Sequence, residues 1–177
     1  MKILIIGNGA REHAIAWKLN QGPALHELIF APGNAGTSSL GRNVPIPTTE
    51  IDELAIFTND NGIELTIVGP EGPLANGVVN KFQRSDLPIF GPTREAARIE
   101  SSKIFSKNLM RNSGVPTADA EAFDSFEQAE EYLRSIHPPI VIKADGLAGG
   151  KGVVIARTRE EALSALDRQM KARQFGD

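Results

Sequence analysis

The 177-residue sequence contains no cysteine, which excludes a disulfide framework, thiolate zinc or iron–sulfur ligation, and a cysteine nucleophile. A chain of this length can bury about 70% of its unfolded surface, so its core needs none of those staples. The same lack points to a cytoplasmic location. Aromatic residues make up only 6%, too few for the stacking platforms that hold single-stranded nucleic acid. Cationic charge is not in excess either. Nineteen Lys plus Arg against 22 Asp plus Glu leave a net charge of −3, so no broad basic field attracts a polyanion and any phosphate recognition has to be local. No apolar run approaches the roughly 20 residues of a membrane span. The apolar start, Met1 to Ile6, meets Gly7 too soon for a signal peptide.

What the sequence does have is alternation. Short β-branched runs at Lys2–Ile6, Glu27–Ala31, Glu64–Val68 and Leu87–Phe90 are separated by segments of helical period, the pattern of an α/β fold with a parallel sheet covered by helices. Helices are expected near Arg11–Asn20, Glu50–Asn59 and Leu74–Arg84. Each strand runs into a glycine-containing loop, and in a doubly wound sheet the carboxyl ends of the strands form the ligand crevice. At 100 to 200 residues per domain, the length allows one such domain and part of another. From Arg94 to Asn112 the pattern becomes a polar helix with Ile104, Phe105 and Leu109 as its expected buried face. Beyond it, Ser125-Phe126-Glu127-Gln128 and Thr158-Arg159-Glu160-Glu161 have the form of helix-starting capping boxes. Between them, Ile140–Ala144 and Val153–Ala156 read as a hairpin with an unusually long loop. A lone hairpin is marginal in water. Because Phe175-Gly176-Asp177 follow a single further helix, the second domain is expected to be incomplete.

The first loop, Gly7-Asn8-Gly9-Ala10-Arg11-Glu12, stands where a dinucleotide fingerprint would stand, but Glu12 replaces its third glycine. The second strand also ends in Phe30-Ala31-Pro32, without the acidic residue that would hold a ribose hydroxyl. Glycine backbone and a helix amino end still suit an anion, and Arg11 adds a charge-assisted phosphate contact. A small phosphorylated metabolite fits this loop better than NAD. Pro32-Gly33-Asn34 and Gly69-Pro70-Glu71-Gly72 would flank the first loop in a doubly wound sheet. Asn34 offers donor and acceptor, and Glu71 accepts from hydroxyls or an amine. Singly these are ordinary turn sequences; three on one edge favour a binding site.

Lys143-Ala144-Asp145-Gly146-Leu147-Ala148-Gly149-Gly150-Lys151-Gly152 is the strongest local signal, with four glycines among the seven residues from Gly146 to Gly152. Backbone amides of such a loop can close over a polyphosphate. It is not a Walker loop, because Gly152 stands where Ser or Thr is needed and Asp145 stands at the first glycine position. Lys103, after Ser101-Ser102, would by itself read as solvated surface. His13, His26 and His137 lack metal-ligand spacing.

Taken in order, Gly7 to Ala14, Pro32 to Thr37, Val68 to Glu71, Phe90 to Thr93, Ser102-Lys103 and Lys143 to Val153 resemble the glycinamide ribonucleotide synthetase (phosphoribosylamine-glycine ligase) family of the ATP-grasp superfamily. The resemblance covers essentially the whole chain. It departs at Ala10 and Gly149, where the family usually has glycine and alanine, and Ala10 is expected to narrow the space beside the helix end. The resemblance implies a Rossmann-like, phosphoribosylamine-binding domain over residues 1–100. Over 101–177 it implies connecting helices and the beginning of an ATP-grasp domain. The implied reaction joins glycine to 5-phosphoribosylamine at the expense of ATP, through a glycyl phosphate. By the same resemblance Lys103 and Lys143 are catalytic and contact ATP phosphates, joined in ATP binding by Asp145, Gly146, Gly149, Gly150, Lys151 and Gly152. Gly9, Arg11, Pro32, Gly33, Asn34, Gly69, Pro70 and Glu71 would bind phosphoribosylamine. Mg2+ or Mn2+ serves the complete enzyme, with ligands expected beyond residue 177. Expected partners are the small molecules ATP, glycine and phosphoribosylamine, with no nucleic acid or membrane and a monomeric chain. Family members being more than twice as long, the chain tested alone is expected not to turn over. The alternative of a different class is a non-catalytic nucleotide- or sugar-phosphate-binding module.

Overall fold

The computed structural model describes residues 1–172, and Cα packing divides them into two compact units, Met1–Arg98 and Ile99 onward. The terminal Phe175 to Asp177 lie outside the described residues.

In the first unit five parallel strands form one sheet in the order β3-β2-β1-β4-β5. They are β1 (Lys2–Gly7), β2 (Glu27–Pro32), β3 (Arg42–Asn43), β4 (Leu65–Val68) and β5 (Ile89–Phe90). β1 is central, paired with β2 through Ile5–Phe30 and with β4 through Ile5–Ile67. Its continuous apolar run follows from burial on both faces. Ile3 and Ile5 join Leu28, Phe30 and Ala16 of α1 (Ala10–Leu19) on one face. Leu4 and Ile6 join Ile29, Ala31 and Val68 on the other, against Leu54 and Ala55 of α2 (Ile51–Asp60) and Val78, Val79 and Phe82 of α4 (Val78–Arg84). Alternation along the strand thus feeds two separate hydrophobic layers.

Three local expectations change. The helix expected over Leu74–Arg84 is two, α3 (Glu71–Ala75) and α4, because Gly77 takes the left-handed conformation at φ 86° and ends the first. The polar helix from Arg94 is also two, α5 (Arg94–Ser101) and α6 (Lys103–Asn112), separated by an extended Ser102 whose Oγ accepts from the Phe105 N–H. Finally, the expected apolar face of α6 is not buried: Ile104 and Leu109 are 41% and 39% exposed, and no residue of α6 is fully buried. This helix is held by polar ties instead. Lys107 Nζ donates to Thr117 Oγ1 at 2.7 Å and to the Ala118 carbonyl at 2.6 Å, and Arg111 donates to the Ala120 carbonyl.

The second unit continues with α7 (Phe126–Ser135), the antiparallel pair β6 (Ile140–Lys143) and β7 (Val153–Ala156), and α8 (Arg159–Leu166) leading into a π-helical turn. Ala129 and Leu133 of α7 pack with Ile140, Ala156, Ala162 and Leu166, while Phe126, Leu163 and Met170 close the cluster. Ser125 and Thr158 cap their helices by accepting from Gln128 and Glu161 N–H groups, as their sequences require.

Candidate functional site

The sheet order puts β2 and β4 on either side of β1, so the chain reverses its winding there and the loops after these three strands share one edge. Main-chain bonds bind those loops together: Gly33 N–H donates to the Gly7 carbonyl and Gly69 N–H to the Ile6 carbonyl, both at 3.1 Å.

Arg11, exposed in the first turn of α1, reaches the third loop. Its Nη1 donates to the Gly69 carbonyl at 2.8 Å and its Nη2 to Glu71 Oε2 at 3.0 Å. Glu71 opens α3 immediately after Pro70. The Glu71 backbone N–H, and after it the Arg11 guanidinium, hold its carboxyl below the ordinary carboxylate range against the opposing effect of burial. Asn34, in the second loop, donates from Nδ2 to the Asn8 carbonyl at 2.9 Å. Its Oδ1 accepts from Gly36 N–H at 2.7 Å and Thr37 N–H at 3.0 Å. Both functions of its amide are therefore used in fixing the loop. Gly33, at φ 72°, follows Pro32 and has no room for a side chain: an added Cβ would stand 2.3 Å from Asn43 Oδ1.

Glu12 has a larger part than its role in breaking the glycine fingerprint suggests. It is only 2% exposed, and its Oε2 accepts the Gly9 N–H at 2.5 Å, so that amide is already engaged by an internal carboxylate. Sequence reasoning also missed Thr37 and Asn43. The Thr37 hydroxyl donates to Asn43 Oδ1 at 2.8 Å, and Asn43 Nδ2 donates to the Asn34 carbonyl at 2.8 Å. Asn43 lies on the two-residue edge strand β3, too short to leave a pattern. An open polar groove of about 550 Å3, lined by Asn80, Gln83, Arg84, Arg94 and Glu95 beside Gly77, shares no residue with the three loops.

In the second unit the glycine-rich loop joins β6 to β7 and is closed at its base by Ala144 N–H donating to the Gly152 carbonyl at 2.8 Å. Gly146, Gly149 and Gly150 have φ of 84°, 55° and 77°, the left-handed region that glycine occupies without strain. Alanine at position 149 would touch nothing within 4 Å but would have to adopt that φ. Gly152 is buried, and a Cβ there would lie 2.6 Å from that of Ala148. Lys143 is exposed at the last position of β6 and Lys151 is exposed within the loop.

Lys103 and Asp145 are brought together. Asp145 Oδ1 accepts from the Lys103 N–H at 2.5 Å and the Ile104 N–H at 3.2 Å, while its Oδ2 accepts from Ser102 Oγ at 3.0 Å. Lys103 Nζ donates to the Gly146 carbonyl at 2.7 Å. The partial desolvation of this otherwise exposed carboxyl would by itself raise its pKa; bonds from Ile104, Ser102, Lys103 and Gly146 outweigh that and hold the group below its usual range. The acid thus serves as an external cap on α6, fastening the root of the glycine-rich loop to that helix. Among the described residues no cluster of three or more His, Cys, Asp or Glu could hold a metal ion, and both Asp145 oxygens are committed. The described residues therefore do not fit a divalent-cation site. No helix among them is long and apolar enough to cross a membrane.

Comparison with known proteins gives concordant matches. Residues 1–100 match the family described as phosphoribosylglycinamide synthetase, N domain, and residues 101–177 match phosphoribosylglycinamide synthetase, ATP-grasp (A) domain. Phosphoribosylamine–glycine ligases from Pasteurella multocida and Escherichia coli K12 are 49% and 50% identical over the whole of this chain. The chain spans 42% of the length of each. The crystal structure of phosphoribosylamine–glycine ligase from Thermotoga maritima superposes with a TM-score of 0.72 at 34% identity, covering 97% of this chain and 39% of that one.

Proposed function

The chain belongs to the phosphoribosylglycinamide synthetase family, and from that premise we propose that it carries the sugar-phosphate-binding and part of the nucleotide-binding apparatus of a phosphoribosylamine–glycine ligase of purine biosynthesis. In the whole reaction the γ-phosphoryl group of ATP passes to the carboxylate oxygen of glycine with departure of ADP. The amine of phosphoribosylamine then attacks the acyl carbon, phosphate leaves, and glycinamide ribonucleotide remains. No protein nucleophile is needed. Catalysis of this kind consists of alignment and of stabilising charge on the transferring group.

Residues 1–100 supply the sugar-phosphate site. The observation that carries this reading is the junction of three loops at one sheet edge, where Arg11 bridges to Gly69 and Glu71 and Asn34 is tied to Asn8. On this reading the Arg11 guanidinium takes the phosphate, beside an α1 amino end whose Gly9 N–H is already held by Glu12. Gly9, Gly33, Asn34, Gly69 and Glu71, with Pro32 and Pro70 shaping their loops, surround the sugar and its amine. The dipole of α1 favours the anion. Residues 101–177 supply Lys103, Lys143 and Lys151 as cations for the ATP phosphates. Asp145, Gly146, Gly149, Gly150 and Gly152 form the covering loop, and the protein works in the cytoplasm as a monomer, with Mg2+ or Mn2+ held elsewhere in the complete enzyme.

Calorimetric titration of the 177-residue chain with ribose 5-phosphate, a stable stand-in for the substrate, tests the first assignment. Arg11→Ala removes one charge-assisted contact worth about 1.5–3 kcal/mol, so affinity falls at least about tenfold. Equal affinity in the variant removes the phosphate role from Arg11.

A further inference from the structure

The β1–α1 loop lacks the third glycine that lets helix and strand approach in a dinucleotide fold, yet α1 still packs closely against the sheet. The missing space is supplied by the partners of Glu12. A Cβ on Gly69 would lie 1.7 Å from Glu12 Oε1, 2.5 Å from its Cδ and 2.7 Å from its Cγ; one on Gly7 would lie 2.6 Å from Cδ. Glycines from two adjacent strand ends are therefore folded around one carboxylate, which also takes the Gly9 N–H. Burying a carboxylate is unfavourable unless donors and dipoles compensate it, and here the amino end of α1 provides both. Gly69 is gripped from two directions, since its Cα faces Glu12 while its carbonyl accepts from the neighbouring Arg11 at 2.8 Å.

We infer that Glu12 is a positioning residue: its buried carboxylate sets the spacing between the β1–α1 and β4–α3 loops and thereby places Arg11 against Gly69 and Glu71, at the sugar-phosphate site proposed above. Glu12 touches no substrate. It acts through Gly9, Gly69 and Arg11, and an acid at the third-glycine position is matched by glycine at position 69.

The coupling between Glu12 and Gly69 is measurable without any ligand. Gly69 has no left-handed φ, so Gly69→Ala probes chiefly the space occupied by Glu12, and any cost of placing a Cβ before Pro70 is common to both backgrounds and cancels in the cycle. Thermal melts of Glu12→Ala, Gly69→Ala and the double variant form a cycle. In the Glu12→Ala background the penalty of Gly69→Ala should shrink to less than about half its wild-type size, because the three nearest atoms all belong to the Glu12 side chain. Equal penalties in the two backgrounds overturn the inference. An NMR titration of the Glu71 carboxyl reports where Arg11 sits: Glu12→Ala should raise its midpoint, and Glu12→Gln, which keeps an acceptor for Gly9, should restore most of the shift. Ribose 5-phosphate affinity should fall about tenfold or more in Glu12→Ala and recover to within about threefold in Glu12→Gln. A lowered melting temperature with unchanged Glu71 titration and unchanged affinity marks Glu12 as merely structural and also overturns the inference. If the wild-type chain does not bind ribose 5-phosphate, the proposed function fails, while the melting cycle and the Glu71 titration still decide the role of Glu12.

Discussion

Replacing Asp145 with alanine removes the carboxylate that accepts from Ser102, Lys103 and Ile104. The magnitude follows from the exposure of the site. Asp145 is solvent-exposed, so water takes over part of each lost bond, and the loss is close to that of one helix cap, about 1 kcal/mol. Losing the negative charge at the amino end of α6 adds about 0.5 kcal/mol. Ser102 still caps Phe105, which keeps the helix from unravelling altogether. For a transition of a unit the size of Ile99 onward, about 1–1.5 kcal/mol corresponds to a fall of about 4–12 °C. Differential scanning calorimetry at neutral pH measures it, and Asp145→Asn, which keeps an acceptor without the charge, should lose about half as much. The pH dependence has a definite sign. The folded-state pKa of Asp145 is lowered, so its contribution is complete above the ordinary carboxylate range and disappears as pH falls through the folded value. The gap between wild type and Asp145→Ala should therefore close in strong acid. A shift smaller than about 1 °C at neutral pH, or a gap that widens in acid, refutes the capping role.

In the first unit, Phe82 is fully buried in the layer shared by β1, β4 and α4, and Phe82→Ala should cost about 3–5 kcal/mol in denaturant unfolding, with loss of the sheet. The Glu71 carboxyl is lowered first by its own backbone N–H and second by Arg11. Arg11→Ala should therefore raise its NMR midpoint only part of the way to an ordinary glutamate, and in wild type the Arg11–Glu71 link should be lost as pH falls below the carboxylate range, not as it rises.

The parallel sheet was legible because its strands are buried on both faces: Ile3 to Ile6 and Leu28 to Ala31 leave uninterrupted apolar runs. The shared loop edge was legible for the same reason, since a doubly wound order puts the glycine loops after β1, β2 and β4 side by side. β3 was not, because a two-residue strand has no period to detect. The break at Gly77 was hidden because a glycine inside a helical pattern is readable either as tolerated or as a terminator, and only its left-handed φ decides. The burial expected for Ile104 and Leu109 failed because helical spacing fixes which residues share a face, not what covers that face; α6 is anchored by Lys107, Arg111 and its Asp145 cap. The engagement of Gly9 by Glu12 has the spacing of a capping box, glutamate three residues after the N-cap, but glycine at the cap hides it; that Asn34 is held by its own loop leaves no such trace, because a free donor and a satisfied one look alike.

The loops at Gly9, Asn34 and Glu71 are proposed to receive a phosphorylated sugar. Mapping backbone amide shifts while ribose 5-phosphate is added tests this most directly. Shifts should concentrate in residues 7–12, 33–37 and 69–72. Shifts confined to the groove around Arg84 and Arg94, or no shifts at saturating concentration, would contradict it.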